Sequence, residues 1–209
     1  MRKFNNNMKK AESLHIYSGD FVAGSLLIRE SQIIARLLLD GADTKEWHQA
    51  IVIDNLLQKR SPETAKRQAK LIKSRLIIMQ PNLWNLINQG VQDIVTHALL
   101  AAAIKHSRLL GDFLDQIVRS LWQTFKQRIS VSDWKDFWET CTQIDPHINQ
   151  WSKATQSKIK QTVFRILAEA KYVNNTRSLE LLPVNVVPEV RQYLIDHRED
   201  YVLKCMEIT

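Results

Sequence analysis

QKRSPETAKRQAKLIKSR, residues Gln58 to Arg75, sets seven cations against one carboxylate, Glu63, for a local charge of +6. The whole chain carries +7 at pH 7, so the remaining residues nearly balance. Ser61 followed by Pro62 reads as a helix start. The hydroxyl caps, and proline suits the first helical position because the N–H it lacks would have no partner there. The helix is expected to run from Pro62 to about Met79, with Pro81 ending it. Ala65, Ala69, Ile72, Leu76 and Met79 recur at helical spacing as one apolar stripe. Lys66, Lys70 and Lys73 form a second stripe about 100° round the axis, extended by Arg67 and Lys59. Such a helix buries one face and holds a cationic flank at solvent. The partner this flank asks for is a polyanion, the nucleic-acid backbone first.

On both sides of this stretch helical periodicity dominates. Ile33, Ile34, Leu37 and Leu38 form an apolar face that Gly41 closes. Asp43, with Glu46 at the capping-box position, starts a second helix expected to reach about Gln58. Only about three residues would then separate it from the basic helix. That is helix-turn-helix geometry, in which the second helix enters the major groove N-terminus first. Its first turn offers Glu63, Thr64, Lys66 and Arg67 to the duplex, and a lysine-rich stripe serves phosphates more than base edges.

Towards the C-terminus the pattern predicts a short helix over Leu83–Asn88 and apolar helices over Gln92–Ser107 and Leu110–Lys126. The run HALLAAAI is expected at the centre of the core. Ser132 is expected to cap a helix presenting Trp134, Phe137, Trp138 and Cys141, which Pro146 breaks. Another helix starts at Ser152 or Thr155 and runs to about Tyr172. SLELLPVNVVP then suggests two short strands about Pro183, before a closing helix over Pro188–His197. Helix, hairpin and helix in this order resemble the end of a winged-helix unit. The expected fold class is mainly α: two packed helical lobes, residues 1–90 and 91–209, with a helix-turn-helix-like unit in the first. A small winged-helix-like β-hairpin is expected near the end of the second.

A second basic set, Lys153, Lys158, Lys160, Arg165, Lys171 and Arg177, surrounds the helix after Ser152. Lys158 and Arg165 share a face, and Arg177 would sit on the wing, so a second nucleic-acid contact is expected there. The plain reading of both basic sets is a solvated helix face.

Composition excludes several classes. Of 209 residues, 44% are hydrophobic and 24% charged, which suits a globular protein, and five Gly with five Pro favour helices over turn-rich β structure. The polar, Asn-rich first twenty residues read as loose and carry no apolar signal core. The longest uncharged apolar run, Ile94–Ile104, is too short to span a bilayer, so no membrane is expected. Two cysteines in no CxxC pattern fit a reducing cytoplasm and argue against a zinc finger or disulfide scaffold. His97 reads as a core histidine, and KHSRLLGDFLD as a polar network where two helices meet. There is no GxGxxG, Walker loop, HExxH or paired-carboxylate pattern. No catalytic residue, metal or cofactor is expected.

AGSLLIRESQIIARLLLDG, LLQKRSPETAKRQAKLIKSRL, ALLAAAIKHSRLLGDFLDQIV, VFRILAEAKYV and LLPVNVVPEVRQYLIDHREDYVLKCME resemble, in this order, the BrxA family of bacterial BREX phage-exclusion systems. The resemblance covers about Ala23 to Glu207. It implies a mostly helical, cytoplasmic, non-enzymatic protein of antiviral defence. It also implies binding to double-stranded DNA and action beside other BREX components, a methyltransferase among them. Residues Lys59, Arg60, Thr64, Lys66, Arg67, Lys70 and Lys73, with Lys158, Arg165 and Arg177, are the expected DNA contacts. The alternative is a helical adaptor that docks on acidic surfaces of other defence proteins without binding DNA.

Overall fold

A computed structural model describes residues 15–208; the expected loose leader lies outside the described residues as far as residue 14. Of the described residues 69% are helical, and they form no sheet. After a short 3-10 turn at Asp20–Ala23, α1 spans Ile28–Leu39. Helix α2, Thr44–His48, runs on into a π-helical turn, Gln49–Ile53. Then follow α3 Pro62–Leu76, α4 Pro81–Gln89 and α5 Gln92–His106. Helix α6 is continuous from Arg108–Asp112 through a π-helical middle, Phe113–Val118, to Arg119–Gln123. Helix α7 is Val131–Ile144 and α8 Lys153–Glu169. Helices α9, Pro188–Asp196, and α10, Asp200–Met206, complete the fold.

The local chemistry explains most boundaries. Gly41 has φ +69°; its N–H donates to Leu38 O at 3.2 Å and that of Ala42 to Leu37 O at 3.0 Å. That is a Schellman stop, and it needs the left-handed conformation glycine adopts without strain. Asp43 and Glu46 form a complete capping box on α2, worth about 1 kcal/mol. Ser61 caps α3 by accepting from Thr64 N, with Pro62 in the first turn. Ser152, not Thr155, caps α8.

Helix α5 is the central pillar. Every residue from Val95 to Ile104 is buried, so its apolar character is spread all round the axis. Helices α3 and α4 pack on it, α1 packs on α4 and α3, and α10 closes on α5 and α6. One continuous hydrophobic cluster runs from Tyr17 to Ile208, crossing Gly90 without a break. His97 is a core histidine: its Nδ1 accepts from Val187 N at 3.1 Å, and burial lowers its pKa. Trp134 is buried among Phe113, Phe137 and Phe164, with ring centroids 5.2 to 5.8 Å away; Trp138 stacks on it, and Trp151 meets Trp138 at a tilt.

Where KHSRLLGDFLD was expected to form a polar network, it does. Asp112, 4% exposed, accepts from Tyr17 Oη at 3.0 Å, Tyr201 Oη at 2.9 Å and Arg108 Nε at 2.8 Å. The Arg108 guanidinium also lies 4.2 Å over the Tyr201 ring. This knot ties the first described residues and α10 to α6.

In four places the fold departs from the expected pattern. First, α2 ends in its π-helical turn and does not reach Gln58. Residues 54–61 form a loop in which Asn55, at φ +47°, donates to Lys59 O and accepts from Lys59 N, both at 2.9 Å. An asparagine that satisfies the backbone this way competes with helix. The link to α3 is therefore longer than the three-residue turn of a helix-turn-helix. Second, no strand pair folds about Pro183. Leu181 bridges Val173 and Glu180 bridges Arg128, so this segment pairs with two distant turns, and Pro183 offers no N–H to a ladder. Third, α7 is capped by Ser130, whose capping box with Asp133 leaves Ser132 outside that role. Fourth, α10 follows the helix expected to close the chain.

Candidate nucleic-acid interface

Helices α3 and α8 lie on either side of a strap, Gly24–Leu26. Arg75 of α3 donates from Nη1 to Ser25 O at 2.5 Å and from Nη2 to Gly24 O at 3.1 Å. From the other side Glu169 of α8 accepts from Ser25 Oγ at 2.7 Å and Leu26 N at 2.9 Å. Arg75 is 4% exposed. Burial lowers its pKa to about 10, against the raising effect of Asp20 and Glu169, so it stays charged at neutral pH. By sequence it is one more cation of the basic segment; in the fold it is a rivet.

The strap and the Asp20–Ala23 turn form the wall and floor of a cleft of about 640 Å³ between the two helices. Arg67 and Lys70 line it from α3, Lys158 and Arg165 from α8. All four are exposed, and none makes an ion pair among the described residues. Polar walls come from Gln68, Ser74, Gln161 and Thr162. The carboxylate lining the cleft is Asp20, 3.6 Å from His106 Nε2, which in turn lies 3.0 Å from Ser74 Oγ. Burial lowers the His106 pKa, partly opposed by Asp20. Four cations facing one carboxylate across an open cleft have the chemistry to suit an anion with several charged oxygens.

The remaining expected residues scatter. Lys59 is tied to Glu30 of α1 and half-buried. Arg60 is exposed in the loop before α3. Thr64 accepts from the Ser61 hydroxyl at 3.0 Å and so extends the helix cap. Lys66 and Lys73 lie on the other flank of α3, where Lys73 Nζ sits 4.1 Å over the Trp47 ring. Arg177 is exposed in a turn organised by Asn174 and Asn175 side chains, away from the cleft lining. Sequence reasoning missed Gln161 and Thr162, although Lys158, Gln161 and Arg165 recur at three and four residues and mark a polar stripe on α8. It also missed the strap, because no local pattern announces that Glu169 and Arg75 reach the same backbone.

Among the described residues no three His, Cys, Asp or Glu side chains group as metal ligands, and no helix is long and apolar enough to cross a membrane. The fold and site define a small helical protein, without a sheet among the described residues, built round one apolar pillar and carrying an unmatched basic cleft. The BrxA family profile matches residues 15–198. A curated relative from Paramagnetospirillum magneticum strain AMB-1, BREX protein BrxA, is 40% identical over 92% of this chain and 97% of its own length. BREX protein BrxA of Escherichia coli O9:H4 strain HS is 35% identical over 84% of this chain and 83% of its own. The crystal structure of an uncharacterized protein from Magnetospirillum magneticum superposes with a TM-score of 0.86 at 38% identity, covering 93% of this chain and all of that one. The chain belongs to the BrxA family, and so is a component of a BREX phage-defence system.

Proposed function

We propose that this protein is a non-enzymatic, cytoplasmic DNA-binding component of its BREX system, holding duplex DNA mainly by its phosphates. The observation that carries this reading is the meeting of Arg67 and Lys70 with Lys158 and Arg165 in one cleft. Two stretches far apart in sequence, each read separately as basic, supply one surface. Arg and Lys in such numbers serve phosphate oxygens and fix a duplex without reading its bases. In the two-lobe division, residues 1–90 and 91–209, the cleft would take cations from each lobe. Arg60, Lys66 and Arg177 would add outer backbone contacts. The two cysteines, Cys141 and Cys205, are buried free thiols, which supports a reducing compartment. The relatives' name supports other BREX components as partners.

The test is duplex binding across a salt series with Lys66, Arg67 and Lys70 changed to Glu, alone and with Arg165→Glu. Each phosphate that is no longer neutralised should reduce the slope of log K against log salt by about 0.9. Unchanged affinity and slope in both variants would place the main surface elsewhere. Negligible duplex binding by the unaltered protein would favour the adaptor role.

A further inference from the structure

Helix α3 has two flanks with different surroundings. One faces the polar cleft. The other, with Lys66, Ala69 and Lys73, closes a second pocket against α2 and its π-helical turn. Lys70 stands on the ridge and lines both. The floor of this pocket is apolar: Trp47, Ile51, Val52 and Ala69. Its volume is about 320 Å³. Three lysines rim it, and among the described residues no carboxylate lines it. The nearby acids are engaged elsewhere: Asp43 and Glu46 in the capping box, Asp54 accepting from Gln49 Nε2 at 2.7 Å. Beside the pocket Ile53 and Leu56 are exposed at 60% and 42%.

We propose that this pocket docks a segment of a partner protein: an amphipathic helix carrying one or two large apolar side chains flanked by carboxylates. The apolar floor takes the anchor residues, and Lys66, Lys70 and Lys73 take the acidic rim. Lysine suits this arrangement because its aliphatic stem extends the apolar wall while the ammonium stays at the edge. Helix-in-groove recognition uses anchors of this kind, with charges setting orientation and encounter rate. Nucleic acid does not fit, since a phosphate chain has nothing to bury against Ile51 and Val52. The π-helical turn that shapes one wall is a second, independent sign, because such turns concentrate at functional sites. The pocket opens on the other flank of α3 from the cleft and shares only Lys70 with it, so one helix would hold DNA on one flank and a partner on the other.

The experiment uses the full chain and three probes: a fluorescent helical peptide with Leu and Phe four residues apart and Glu elsewhere, the same peptide with Gln for Glu, and a 20-base-pair duplex. Val52→Asp places a carboxylate in the floor, and the surface change Lys73→Glu reverses the rim without touching the core. The acidic peptide should bind, each variant should weaken it at least about tenfold, the Gln peptide should bind less tightly, and Arg165→Glu should leave peptide binding unchanged. Duplex binding should respond to Arg165→Glu and be insensitive to Val52→Asp. No acidic-peptide binding at millimolar concentration overturns the proposal. So does binding that is indifferent to both pocket variants, or that Arg165→Glu and competing duplex abolish, since that is polyanion capture in the cleft. Absence of duplex binding alone would count against the DNA reading and leave the pocket standing.

Discussion

The knot at Asp112 and the cleft between α3 and α8 use the same kinds of side chain to opposite ends. Around Asp112 and its neighbour Asp115 each cation meets a matching group. Arg108 meets Asp112, while Arg119 and Lys204 meet Asp115 at 3.0 and 2.8 Å. Burial works to raise the Asp115 pKa, and its hydrogen bonds from Lys204 and Arg119 more than offset that, so the carboxyl lies below its ordinary range. In the cleft, four cations converge on one carboxylate that already faces His106. Matched charge holds elements together; unmatched charge, left facing water, is available to a ligand. The total charge of a segment does not distinguish the two, as Lys59, paired with Glu30, and Arg75, held by two backbone carbonyls, show inside the basic run.

The largest effect should come from the matched side. Asp112→Ala leaves two tyrosine hydroxyls without their acceptor in a buried site and takes away the partner of the exposed Arg108 guanidinium. It should cost about 3 kcal/mol, read as a lower urea midpoint with an unchanged m-value. Gly111→Ala attacks the same knot by shape. A Cβ there would collide with the Tyr201 hydroxyl, and stability should fall by about 2 kcal/mol as Tyr201 is pushed from Asp112. If Gly111→Ala is neutral, the α6–α10 packing is softer than the knot implies.

On the unmatched side the sign of the result changes. Lys158→Glu with Arg165→Glu should alter stability by no more than about 0.5 kcal/mol, measured by thermal denaturation, while duplex affinity falls. A large drop in stability would mean the cleft cations hold the fold. The smallest expected effect concerns the two histidines. Both have pKa values lowered by burial, so below the ordinary histidine pKa of about 6.5 the unfolded chain binds more protons than the folded one. Stability should therefore fall as pH drops through 6.5 and recover above it. His97→Gln should flatten the part of that slope belonging to the Val187 hydrogen bond, seen in urea titrations at pH 7.5 and 5.5.

Much of the fold is legible in local signals. The stop at Gly41, the box at Asp43 and Glu46, the start at Ser61–Pro62 and the apolar run at Val95–Ile104 are all of this kind, and each element forms where its signal lies. Sequence reading fails where a distant partner outvotes local pattern. LELLPVNV alternates well enough to suggest a hairpin on itself, yet Leu181 N donates to Gln127 O at 2.8 Å and Leu182 N to Tyr172 O at 3.0 Å. The loop after α2 looks helical in sequence because its apolar residues continue the period; the Asn55 clamp on Lys59 is what ends it.

Spacing along the chain is enough to show that it is helical, where most helices begin, which run forms the pillar, and that two separate stretches are basic. Those properties follow from spacing within one turn or two of helix, where neighbours in sequence are neighbours in space. Which cations are consumed and which remain depends on how the helices pack. Arg75 and Glu169 grip one strap, and that grip sets Arg67 and Lys70 opposite Lys158 and Arg165. Charge pairing is decided by distance in three dimensions, which no local pattern of residues encodes.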